Sequence, residues 1–128
     1  MYAQDYDERY TMAATWQDNI DPYIKNPRVY HCPSVVVGTT EPSGAVGTSY
    51  AFNSALDMMK SARLSEPRDT VLTFDSSNFS RNASDAVTSL PAPHRHPLGN
   101  TIGFADGHVK IWRDSEPVPQ AQILPDTP

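Results

Sequence analysis

Asn100-Thr101-Ile102-Gly103-Phe104-Ala105-Asp106-Gly107-His108-Val109-Lys110-Ile111-Trp112 is the stretch on which the reading of this fold turns. Asp-Gly is favoured in two-residue type I′ turns, where both central residues need positive φ. Centring such a turn on Asp106-Gly107 pairs Ala105 with His108, Phe104 with Val109 and Ile102 with Ile111. Strand alternation then sets Ile102, Phe104, Val109 and Ile111 on one face, and all four are apolar. Thr101, Gly103, Ala105, His108, Lys110 and Trp112 fall on the other, wetter face. The expectation is an antiparallel hairpin buried on its first face.

Outward from the hairpin, Thr70 to Asp75 reads as a strand with Leu72 and Phe74 on one side. Thr48 to Asn53 reads as a shorter strand with Tyr50 and Phe52 sharing a face. Ala55 to Arg63 is weakly helical and stops near Glu66-Pro67. Residues 76–95 are polar, carry Pro91 and Pro93, and read as a long surface excursion; residues 38–48 form a Gly- and Pro-containing loop. Tyr2, Tyr6 and Tyr10 recur at i, i+4 and i+8, which predicts a helix over the first ten residues with Asp5 and Arg9 as an i, i+4 pair. No capping residue precedes that pattern, so it reads as the end of a longer helix. Thr15-Trp16-Gln17-Asp18 offers a capping box, and Trp16, Ile20, Tyr23 and Ile24 follow at helical spacing. Pro22 divides this into two short turns, and Asn26-Pro27 stops them.

Composition narrows the function classes. A chain of 128 residues makes one domain. Its twelve prolines are roughly twice the usual ~5% share, so turns and loops take much of the chain. The net charge of −5 comes without a basic block, which argues against nucleic acid and anionic lipid as partners. The longest aliphatic run is Val35 to Val37, too short to span a bilayer, and the acidic N-terminus lacks the apolar stretch of a signal peptide. Cys32 is the single cysteine, so an internal disulfide is excluded.

His96, nine intervening residues and Asp106-Gly107, followed by His108-Val109-Lys110, resemble the C-terminal signature of a bacterial pseudopilin-like family, the prepilin-type proteins with a His-x(9)-Asp-Gly domain. Arg95, Asn100 and Phe104-Ala105 also fit that pattern. Met1 to Asp7, Pro22 to Asn26, Cys32-Pro33-Ser34 and Ser49 to Asn53 are similar as well, so the resemblance spans roughly residues 1–112. It implies an α+β pilin-like head, with a truncated N-terminal helix packed on a small antiparallel sheet with long loops. It also implies a non-enzymatic subunit or accessory component of a type II secretion or type IV pilus-like filament, extracytoplasmic and anchored in the inner membrane or set in a surface filament. Partners would be other pilin-like subunits, and the membrane would be reached only through an anchor helix that this chain lacks. His96, Asp106 and Gly107 would then be structural motif residues. On this reading residues 1–112 form the head and 113–128 a Pro-rich tail, and the chain by itself is soluble and forms no filaments.

Chemical alternatives rest on few residues. His94, His96, Asp106 and His108 could hold a metal such as zinc and support a metal-dependent hydrolase. Against this, an extended 100–105 strand holds Asp106 roughly 20 Å from the strand's start, and three residues span only about 10 Å, so His96 cannot readily return to the turn. The expectation is therefore no catalytic residue, no metal and no cofactor, and a fold independent of zinc. An extracytoplasmic glycan- or protein-binding module using the 76–95 loop is the other alternative. Asp75-Ser76-Ser77 reads as a turn former after a strand, Cys32 as a small buried side chain, and Asp5, Asp7 and Glu8 as a solvated face.

Overall fold

The computed structural model describes residues 2–6, 8–32, 49–92 and 94–113. The expected 38–48 loop and nearly all of the expected 113–128 tail lie outside the described residues. At the centre is a five-stranded mixed sheet, built from β1 (Tyr50–Asn53), β2 (Val71–Asp75), β3 (Ser84–Asp85), β4 (Asn100–Phe104) and β5 (Val109–Trp112), in the order β3-β1-β2-β4-β5. Neighbours are antiparallel except β3, which runs parallel to β1. The fold is a small α+β one, and the sheet is not purely antiparallel as expected.

The hairpin forms at the expected place but one residue out of the expected register. Gly103 pairs with Val109, Ile102 with Lys110 and Thr101 with Ile111. Phe104 N–H donates to His108 O at 2.9 Å, and Gly107 N–H to Phe104 O at 2.9 Å, enclosing a three-residue loop. Gly107 takes φ +97°, whereas Asp106 keeps negative φ. A type I turn followed by one left-handed glycine therefore replaces the type I′ turn, which would need both. The slip turns β5 over. Val109 and Ile111 are 65% and 41% exposed, while Ile102 and Phe104 are buried with His108 stacked flat on the Phe104 ring.

Each face of the sheet carries a core, with β5 left largely exposed. On one lie Trp16, Tyr30, Phe52, Leu56 and Leu64, with Leu72 and Tyr50 packed beside them. On the other lie Ala51, Val71, Phe74, Ile102 and Phe104, closed by Ala83, Val87 and Leu90. Leu72 and Phe74 thus serve opposite cores, contrary to their expected shared side. An irregularity between Val71 and Thr73 shifts the β2–β4 pairing by one residue and breaks the alternation. Residues 76–95 are likewise more than a surface excursion: they supply β3 and three apolar side chains of the second core.

The N-terminal segment is less helical than its tyrosine spacing predicts. α1 covers only Tyr2–Asp5. Tyr2 and Tyr6 stack at 4.3 Å, but Tyr10 lies beyond the helix, its N–H bonded to Met59 O at 2.9 Å. Asp5 accepts from the Tyr23 hydroxyl, and Arg9 donates to Met58 O at 3.0 Å. α2 (Trp16–Ile20) is followed by a 3-10 turn at Asp21–Tyr23, as Pro22 requires; the run ends at the extended Ile24, and Pro27 opens a separate 3-10 turn, Pro27–Tyr30. Short 3-10 turns also replace the weak helix expected from Ala55 to Arg63. The expected capping box is absent, since the Thr15 side chain caps nothing. Asn82 caps α2 from across the sequence, its Oδ1 accepting from Gln17 N–H at 2.8 Å and Asp18 N–H at 3.2 Å.

Candidate functional site: the Asp75 cluster

Strand β2 ends by driving Asp75 into the protein, where its side chain is 0% exposed. An isolated carboxylate at that depth is costly, so its partners define the site. Arg95, with 6% of its side chain exposed, places Nη1 3.1 Å from Asp75 Oδ1. The same nitrogen donates to Ser49 O at 2.9 Å, and Nη2 donates to Ser76 O. One guanidinium thereby fastens the start of β1 to the end of β2. Thr101 N–H, on β4, donates to Asp75 Oδ2 at 2.6 Å, and His96 Nε2 stands 3.2 Å from the same oxygen.

A tight turn presents His96 to this carboxylate. His96 and Gly99 exchange backbone hydrogen bonds of 3.0 and 3.1 Å, with Pro97 and Leu98 between them. Gly99 takes φ +151°, and a Cβ there would stand 2.1 Å from Trp112 O, so the turn closes against β5 only with glycine. Asn100 completes the support, accepting from Arg95 N–H at 2.9 Å and donating to Pro91 O at 3.0 Å.

The third wall is Cys32, buried, with Sγ 3.9 Å from His96 Nε2 and its N–H bonded to Ser49 Oγ at 3.1 Å. Tyr50 lies alongside. Burial, then the neighbouring Cys32 and the Asp75 charge, push its hydroxyl up to about 12. In a nucleophilic Cys-His-Asp relay the acid holds one ring nitrogen and the thiol meets the other. Here Cys32 and Asp75 both face Nε2, so this arrangement does not orient a relay.

The four residues considered from the sequence as a metal cluster do not come together. His96 belongs to the Asp75 site; Asp106 binds His108 through Nδ1 and through its N–H at 3.1 Å; His94 Nδ1 meets the His96 carbonyl oxygen. The His108 N–H and then its ring hold the Asp106 carboxyl below the usual range. Among the described residues the group able to hold a metal is instead Cys32, Asp75 and His96, whose ligand atoms all lie within 4.8 Å of one another. Asp75, Arg95 and Cys32 were visible in the sequence only separately, as a turn former, a motif neighbour and a small apolar side chain. No family profile, curated protein or solved structure matches this chain.

Proposed function

We propose that this chain is the non-enzymatic head of a pseudopilin-like subunit, built into or onto a type II secretion or type IV pilus-like filament. The observation that carries this reading is the structural part that each of the resembling motif residues plays. His96 is bound to the buried Asp75, Arg95 joins Asp75 to β1, Asn100 props Arg95, and Asp106-Gly107 forms the hairpin loop. Residues employed in this way hold a scaffold together, and the shared ring nitrogen of His96 argues against nucleophilic catalysis. Among the described residues no helix is long and apolar enough to cross a membrane. On this reading, as the resemblance implies, membrane attachment and filament packing would be the work of an apolar N-terminal helix. The test is to follow the gene's full translation product in cells with and without prepilin peptidase. The expected result is a shortened, membrane-associated form only when the peptidase is present; identical forms in both strains would overturn the proposal.

A further inference from the structure

We propose that Cys32, Asp75 and His96 form a binding site for a divalent transition metal with affinity for sulfur, zinc in the first instance. The donor set of thiolate, imidazole and carboxylate is the one zinc takes, and three protein ligands leave a fourth position for water. Two of the three ligand spacings are already close to what the metal needs, and the third is within 4.8 Å. Zinc bonds of about 2.0–2.1 Å to nitrogen or oxygen and about 2.3 Å to sulfur, at tetrahedral angles, separate nitrogen from oxygen by roughly 3.3 Å and nitrogen from sulfur by roughly 3.6 Å. Here His96 Nε2 lies 3.2 Å from Asp75 Oδ2 and 3.9 Å from Cys32 Sγ. Each gap is within a few tenths of an ångström of a tetrahedral edge.

The surroundings suit a metal as well. Ligating carboxylates are held by outer partners, and Asp75 has two that a metal would not displace, Arg95 on Oδ1 and Thr101 N–H on Oδ2. A zinc ion with one thiolate and one carboxylate is a neutral set, and Arg95 places a positive charge beside it. A hollow of about 250 Å³ is lined in part by Tyr50 and Thr101, two residues that neighbour the site. Bound metal would tie the segment around Cys32 to the end of β2 and to the 96–99 turn, a role compatible with a filament head yet independent of it.

The experiment titrates the purified, metal-free chain with Zn²⁺ against a chromophoric chelator, and with Co²⁺ as a spectroscopic stand-in. The expected result is one ion per chain, with a thiolate-to-cobalt charge-transfer band in the near ultraviolet. Cys32→Ala should abolish the band and the zinc-induced rise in Tm, whereas His108→Ala and His94→Ala should leave both intact. Circular dichroism of Cys32→Ala separates loss of binding from loss of fold, and protection of the wild-type thiol from alkylation by Zn²⁺ reads the same site without a variant. Absence of binding, binding without the charge-transfer band, or binding lost in His108→Ala or His94→Ala would overturn the proposal.

Discussion

At the residue scale the fold hangs on Asp75 and Arg95. Both are buried and both are charged, so removing either strands the other. Asp75→Asn and Arg95→Leu should each cost about 3–5 kcal/mol in urea unfolding. Arg81→Ala breaks its ion pairs with Asp18 and Asp21 at the surface and should cost no more than about 1 kcal/mol. Equal losses for the buried and the exposed pairs would contradict this ranking. Tyr50 supplies a second test, through pH. Its hydroxyl rises from the model-compound value of 10.0 to about 12 on burial, so the fold favours the neutral phenol. That stabilisation is complete below pH 10 and is lost as pH climbs towards 12, because the unfolded chain ionises first. Burial and the bond to Asp21 raise Tyr30 in the same direction. Phenolate absorbance followed together with circular dichroism should show stability falling across that window; ordinary titration of every tyrosine near pH 10 would contradict it. Arg95-His96 and Asp75 are plain in the sequence, but their pairing is not. Arg95 and Asp75 stand twenty residues apart, and only the folded 76–95 segment brings them into contact.

At the element scale the β4–β5 hairpin shows how far a local pattern reaches. Its position follows from Asp106-Gly107 and the apolar residues on either side. Its register does not, because Asp-Gly serves both a type I′ turn and the last two positions of a three-residue loop. The two differ by one residue, and that residue decides which face of β5 meets the core. Phe104→Ala should therefore cost about 3–5 kcal/mol, whereas Val109→Ala and Ile111→Ala should each stay near 0.5 kcal/mol. Comparable costs at Phe104 and Val109 would restore the other register. Gly107 has open space around the missing Cβ, so Gly107→Ala should cost about 1 kcal/mol of backbone strain alone. Gly99→Ala should cost several times more, since its Cβ would collide with the Trp112 carbonyl. Thermal unfolding of the two variants side by side checks the difference. The cap of α2 was hidden for a related reason: Thr15 has the right residue type, but Asn82 holds the amides from 65 residues away. Asn82→Ala should lower stability by about 1 kcal/mol, read by chemical denaturation.

At the scale of the whole molecule one sheet separates two small cores, and the second was the harder to foresee. Ala83, Val87 and Leu90 are isolated apolar residues in a polar stretch without strand or helix periodicity, so nothing local marks them as buried. Val87 even adopts φ +61°, uncommon for a β-branched residue and evidence that packing overrides its local preference. The first core was legible, because Trp16, Ile20 and Phe52 sit in patterned segments. The Asp75 support ties the start of β1, the end of β2 and β4 together, and the resembling signature residues His96, Arg95 and Asn100 belong to it. On the proposed reading that support is the head of a filament subunit. The most direct measurement is immunogold electron microscopy of filaments sheared from cells that make the full gene product, using antibody raised against folded head. Regular or tip labelling of filaments is the predicted result; bare filaments, with the antigen confined to the cell interior, would contradict the account.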